Sequence, residues 1–136
     1  MPVQIVSAAG LARADFSLTG RGKSDPFCEV HWNGDRVHKT KVVDNNLDPV
    51  WADERVVVGV SPHDTSGELL VSVWDSDGPL VKGDFLGQVK VSSETMLYPP
   101  DDHMTFDLTP KVGLSAKKRK LVQGKVKLRF NCLSRL

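Results

Sequence analysis

Apolar residues recur at every second position along most of this chain, the period that a strand with one face in a core requires. Val3, Ile5 and Ser7 alternate with Gln4 and Val6; Cys28, Val30 and Trp32 alternate with Phe27, Glu29 and His31; Leu69, Val71 and Val73 alternate with Leu70, Ser72 and Trp74. Further runs of strand character cover residues 37–43, 54–60, 85–92, 104–109 and 124–132. Clusters of Gly, Pro, Asn and Asp separate them, and these are the residues that turn a chain. No helical stripe is sustained, so the sequence predicts an all-β fold, an eight-stranded antiparallel β-sandwich, with room for a short helical turn in SSETMLYPP. At 136 residues the chain makes one domain, spanning 1–136, able to bury a core without disulfides.

Charge excludes some partners. With 18 Lys and Arg against 17 Asp and Glu the net charge is +1, so nothing in the bulk electrostatics points to nucleic acid. The Lys117–Lys120 run falls between the last two predicted strands and reads as a solvated loop or hairpin tip. Cys28 and Cys132 fall in register with inward-facing strand positions, and no C-x-x-C spacing occurs. Both read as buried free thiols in a reducing, cytoplasmic setting. The start MPVQIVSAAG lacks a basic leader and no run approaches 18 apolar residues, so neither a signal peptide nor a membrane span is expected.

The acidic residues are clustered rather than scattered. In VWDSDGPLVKGDFLG, Asp75 and Asp77 leave the end of one predicted strand and Asp84 opens the next. A second group is Asp25, ahead of Pro26 at a strand entrance, with Asp15 upstream. If both connections lie at one edge of the sandwich, these carboxylates converge. Two like charges about 4 Å apart repel by roughly 4 kcal/mol at an effective dielectric near 20, so convergence needs a counter-ion, protonation or splayed loops. A hard divalent cation with irregular oxygen coordination fits such loops, and that describes Ca2+. Zinc would want His or Cys, which these loops lack. The segment is not an EF-hand, because counting from Asp75 places Leu80 at the required glycine and Leu86 at the closing glutamate.

The apolar residues beside the acidic ones do not suit a core. Leu80 and Val81 sit between Pro79 and Gly83, which keep the segment out of a strand, and Phe16 and Leu18 occupy the first acidic loop. Each pair adjoins basic residues, Lys82 in one case and Arg21 and Lys23 in the other. Burying a Leu or Phe at an acyl boundary contributes roughly 1.5 to 3 kcal/mol, so these tips suit insertion into a membrane.

Three blocks, GKSDPFCEV (22–30), KTKVVDNNLDPVWADE (39–54) and LLVSVWDSDGPLVKGDFLGQVKV (69–91), resemble the C2 domain, the calcium- and lipid-binding module first defined in protein kinase C. The resemblance implies a Greek-key sandwich of phospholipase-type strand order, closed by a C-terminal strand. It further implies that Asp15, Asp25, Asp75, Asp77 and Asp84 are Ca2+ ligands, and that Phe16, Leu18, Leu80 and Val81 enter the bilayer. Lys39 and Lys41, read as sharing one strand face, would meet lipid head groups together with Lys82, in company with aromatic residues at Phe27 and Trp74. The implied function is calcium-dependent binding of anionic phospholipid membranes by a monomeric, cytoplasmic module that becomes peripherally membrane-associated on binding calcium. The alternative is a calcium-independent protein-interaction or phosphoinositide-binding module of the same fold. No enzyme is expected: His31, His38, His63 and His103 show no nucleophile–base pairing, and phosphate-loop and dinucleotide fingerprints are absent.

Overall fold

A computed structural model of the chain describes residues 1–13, 23–64, 66–79 and 83–130. Eight strands run in the order β1 (Pro2–Ala9), β2 (Pro26–Trp32), β3 (Asp35–Lys39), β4 (Arg55–Val57), β5 (Glu68–Asp75), β6 (Asp84–Ser92), β7 (His103–Asp107) and β8 (Lys125–Phe130). Two short helices interrupt them, α1 (Ser93–Leu97) and α2 (Ala116–Leu121). The strands form two four-stranded sheets, β4-β1-β8-β7 and β3-β2-β5-β6, and every pairing is antiparallel. The C-terminal strand β8 lies between β1 and β7, the closure that phospholipase-type order requires.

The predicted alternation fills the space between the sheets. Leu69, Val71 and Val73 from β5 meet Val126, Leu128 and Phe130 from β8, with Cys28 and Val30 beside them, all essentially solvent-free. Burial, reinforced by the charge of Glu54, pushes the Cys28 thiol far up, so it packs as a small hydrophobe. Cys132 lies outside the described residues.

Strands β1 and β3 depart from what the alternation predicts, through contacts made outside each strand. In β1 a bulge between Ile5 and Ser7 resets the phase, so that Ala8 is buried where Ser7 was expected to be. The extra residue is held from outside the sheet, its Val6 carbonyl accepting from the Trp51 amide at 3.0 Å. In β3 the strand starts at Asp35 and ends at Lys39, earlier than expected. Asn33 and Gly34, with φ of 50° and 91°, close a two-residue hairpin that pairs Trp32 with Asp35. At the other end the Thr40 hydroxyl accepts the Cys28 amide at 2.8 Å and ends the ladder.

Helix α1 occupies the expected helical turn and buries Met96. Ser92 caps it, the hydroxyl accepting from the Thr95 amide at 3.2 Å. Ser92→Ala is expected to cost about 1 kcal/mol, seen as a melting temperature lower by about 3 °C. The Lys117–Lys120 run, read as a loop, folds as α2, capped by Ser115 with its hydroxyl accepting from Lys118 N at 3.2 Å.

Candidate metal centre

Register alone brings the acidic residues to one end of the sandwich. Asp75 ends β5 and pairs with Asp84, which opens β6, while Pro26 at the start of β2 pairs with Asp75 from the other side. The end of β1, the end of β7 and the start of β8 meet in the second sheet, where Ala9 and Asp107 both pair with Lys125. The β1–β2, β5–β6 and β7–β8 connections therefore emerge together. They are tied to one another: the Gln123 amide donates to the Gly10 carbonyl at 3.0 Å, and the Ser76 amide to the Asp25 carbonyl at 2.9 Å.

Within this end Asp75, Asp77 and Asp84 each offer a carboxylate oxygen, and the three oxygens lie within 4.8 Å of one another. Asp75 is buried, and Asp77 and Asp84 are exposed. Burial first, then the charges of Asp77, Asp25 and Asp84, push the Asp75 carboxyl above its ordinary value, although a hydrogen bond from the Asp25 amide pulls the other way. That amide donates to Asp75 Oδ1 at 2.6 Å, and the Ser76 amide returns a bond to the Asp25 carbonyl at 2.9 Å. Asp25 thus adjoins the trio through its backbone, while its own carboxylate accepts from the Asn45 amide at 2.6 Å. Gly83 makes the close turn possible: at φ 91° it passes so near β5 that a Cβ there would lie 1.7 Å from the Asp75 carbonyl oxygen. Asp15, Phe16, Leu18, Leu80, Val81 and Lys82 lie outside the described residues.

One ladder step behind the acidic row stands an aromatic one. Phe27 pairs with Trp74, and Trp74 with Phe85, whose ring it meets edge-on at 5.4 Å. A lysine flanks this row on either side. Lys39 Nζ sits 4.8 Å from the centre of the Phe27 ring, and Lys111 Nζ sits 4.7 Å from both Trp74 and Phe85. Lys41 lies beyond the end of β3, so the two lysines do not share a strand; its amide donates to Glu54 Oε1 at 3.2 Å. Sequence reasoning missed Lys111, because its ring partners come from a distant hairpin and no local pattern marks it.

Comparison with known proteins agrees with this geometry. The family model for the C2 domain matches residues 1–108. Multiple C2 and transmembrane domain-containing protein 1 of Rattus norvegicus is 38% identical over 91 residues, 67% of this chain and 9% of that protein. Extended synaptotagmin-1 of Pongo abelii is 34% identical over 125 residues, 88% of this chain and 11% of that protein. The chain therefore spans about a tenth of the length of these relatives. Among solved structures, a C2 domain of a plant extended synaptotagmin 1 superposes with a TM-score of 0.67 at 26% identity, covering 93% of this chain and 88% of that one. The calcium-bound pair of C2 domains from extended synaptotagmin 2 matches in fold, with a TM-score of 0.69 at 24% identity over 94% of this chain and 43% of that one. With the sheet order, the acidic rim and the family match in agreement, this chain belongs to the C2 domain family.

Proposed function

We propose that this domain is a membrane-targeting module that binds anionic phospholipid bilayers with its acidic end, in a calcium-dependent manner. The observation that carries the reading is the convergence of Asp75, Asp77 and Asp84 within 4.8 Å. An all-oxygen, all-carboxylate donor set suits Ca2+, and the raised Asp75 carboxyl marks a charge that the protein alone does not balance. Asp75, Asp77 and Asp84 would hold the ion, with Asp25 and Asp15 as further ligands. When bound, Ca2+ cancels the negative charge of the rim and offers coordination to a lipid phosphate oxygen. Phe16, Leu18, Leu80 and Val81 would bury apolar surface in the acyl boundary, and Lys39, Lys41 and Lys82 would contact head groups, each worth about 1 kcal/mol near an anionic leaflet. The Lys39 ammonium over Phe27 supports a head-group contact on that flank. Among the described residues no helix is long and apolar enough to cross a membrane, in keeping with peripheral attachment. Nothing in the reading needs a covalent step.

Cosedimentation with vesicles of phosphatidylserine and phosphatidylcholine, in calcium and in chelator, tests the proposal. Binding in calcium that is lost in chelator is the expected result. Binding that ignores the chelator would instead favour a calcium-independent module working through the Lys39 face.

A further inference from the structure

Beside the metal centre, but on the side of the sandwich away from Lys39, helix α2 covers a cavity of about 230 Å³. Its apolar lining includes Trp74, Phe85, Leu121 and Val122. Next to it, β6 passes close to the end of the helix. Gly87, at φ 151°, has no Cβ, and one placed there would come within 2.7 Å of Leu108 Cβ and 3.2 Å of Val122 Cγ1.

The rim of this cavity is cationic. Lys111 and Lys118 both line it, and among the described residues neither ammonium is held in an ion pair. Lys111 is instead fixed by ring faces, 4.7 Å from both Trp74 and Phe85. A cation held against two aromatic rings is partly stripped of water yet uncompensated, which is the environment an anion completes. Asp84 also borders the cavity, but its carboxylate gathers with Asp75 and Asp77. An apolar floor with two ammonium groups in its lining selects a ligand that has both an apolar body and a negative head.

We propose that this cavity binds a small amphiphilic anion, a carboxylate or phosphate on a short apolar stem, with the stem among Trp74, Phe85, Leu121 and Val122 and the head between Lys111 and Lys118. The stem can belong to a free molecule or to one lipid of a bilayer. The site does not depend on calcium.

The test uses the whole chain, 15N-labelled, in EDTA, so that failure of the calcium reading cannot affect its outcome. The protein has 3 tryptophans, and the indole N–H of Trp51, buried and bonded to the Lys41 carbonyl at 2.9 Å, serves as an internal control. Octanoate below its micelle concentration, and separately hexyl phosphate, should shift the Trp74 signal saturably and leave Trp51 in place. Lys111→Gln with Lys118→Gln should weaken that binding at least tenfold, and Leu121→Trp should block it while the other amide signals persist. An arm with phosphatidylserine and phosphatidylcholine vesicles separates the sources: loss of the octanoate response after vesicles are added identifies a bilayer lipid as the occupant, and an unchanged response identifies a free molecule. The proposal is overturned if no saturable Trp74 shift appears, if neutral hexanol binds as well as octanoate, or if the double Lys variant keeps wild-type affinity.

Discussion

Gly83→Ala is expected to destabilise the domain by about 3 kcal/mol and to abolish the response to calcium proposed for it. Two costs add. Holding an L-residue at φ 91° costs roughly 1 to 2 kcal/mol by sterics alone. The new methyl would also sit 1.7 Å from the Asp75 carbonyl oxygen and 2.9 Å from its carbon, and those are backbone atoms that no rotamer change can move aside. The strand ends must therefore separate, at a further cost of roughly 1 to 2 kcal/mol. Because Asp84 follows Gly83 directly and pairs with Asp75, that separation pulls apart two of the three carboxylates. Gly78→Ala is the matched control: it has a similar φ of 108°, but nothing lies within 4 Å of its added methyl. It should lose only about 1 kcal/mol and keep its calcium response. Urea unfolding of both variants with and without calcium checks the pair, and equal losses would refute the backbone-clash account.

Alternation was readable wherever a strand keeps one phase, as in β5 and β8, because a buried face imposes period two on its own sequence. It failed where the phase is set from elsewhere. The β1 bulge depends on Val6 bonding Trp51, and the end of β3 depends on a Thr40 hydroxyl reaching across to Cys28, so neither is written in the local pattern. The predicted strand over 54–60 shrinks to Arg55–Val57, since β4 is a sheet edge and pairs only with Pro2, Val3 and Gln4. The acidic trio was legible because Asp75 and Asp84 flank a single hairpin, where sequence neighbours become ladder partners. The Asp25 carboxylate accepting from Asn45, and Lys111 lying over Trp74, join segments remote in sequence. Periodicity carries no record of such pairings. Helix α2 was missed for another reason: all of its residues are exposed, so no burial pattern distinguishes it from a solvated loop, and only the Ser115 cap marks its start.

Asp75→Asn is expected to make the calcium-free protein more stable and, at the same time, to remove nearly all of the stability that calcium adds. The substitution preserves shape, and the Asn side-chain oxygen can still accept the Asp25 amide that Asp75 Oδ1 takes at 2.6 Å. What it removes is a buried negative charge facing Asp77 and Asp84. A carboxyl whose folded value is raised is destabilising in its ionised form, fully so above that value and not at all below its ordinary one. At neutral pH the neutral amide is therefore favoured, and its N–H groups can donate to the neighbouring carboxylates. With calcium the order reverses. A ligand that binds only the folded state at one hundred times its dissociation constant stabilises by about 2.7 kcal/mol, and a site lacking its central charged ligand forfeits most of that. Asp77→Asn should lose the calcium response in the same way but gain less stability without it, because Asp77 is exposed and its charge is already hydrated. Asp35→Asn, in the hairpin at the opposite end of the sandwich, should change neither quantity. Thermal melts of the three variants in EDTA and in saturating calcium distinguish these outcomes. If Asp75→Asn melted below wild type in EDTA and still rose with calcium as far as wild type does, the carboxylates would be neither mutually repulsive nor the ion's ligands.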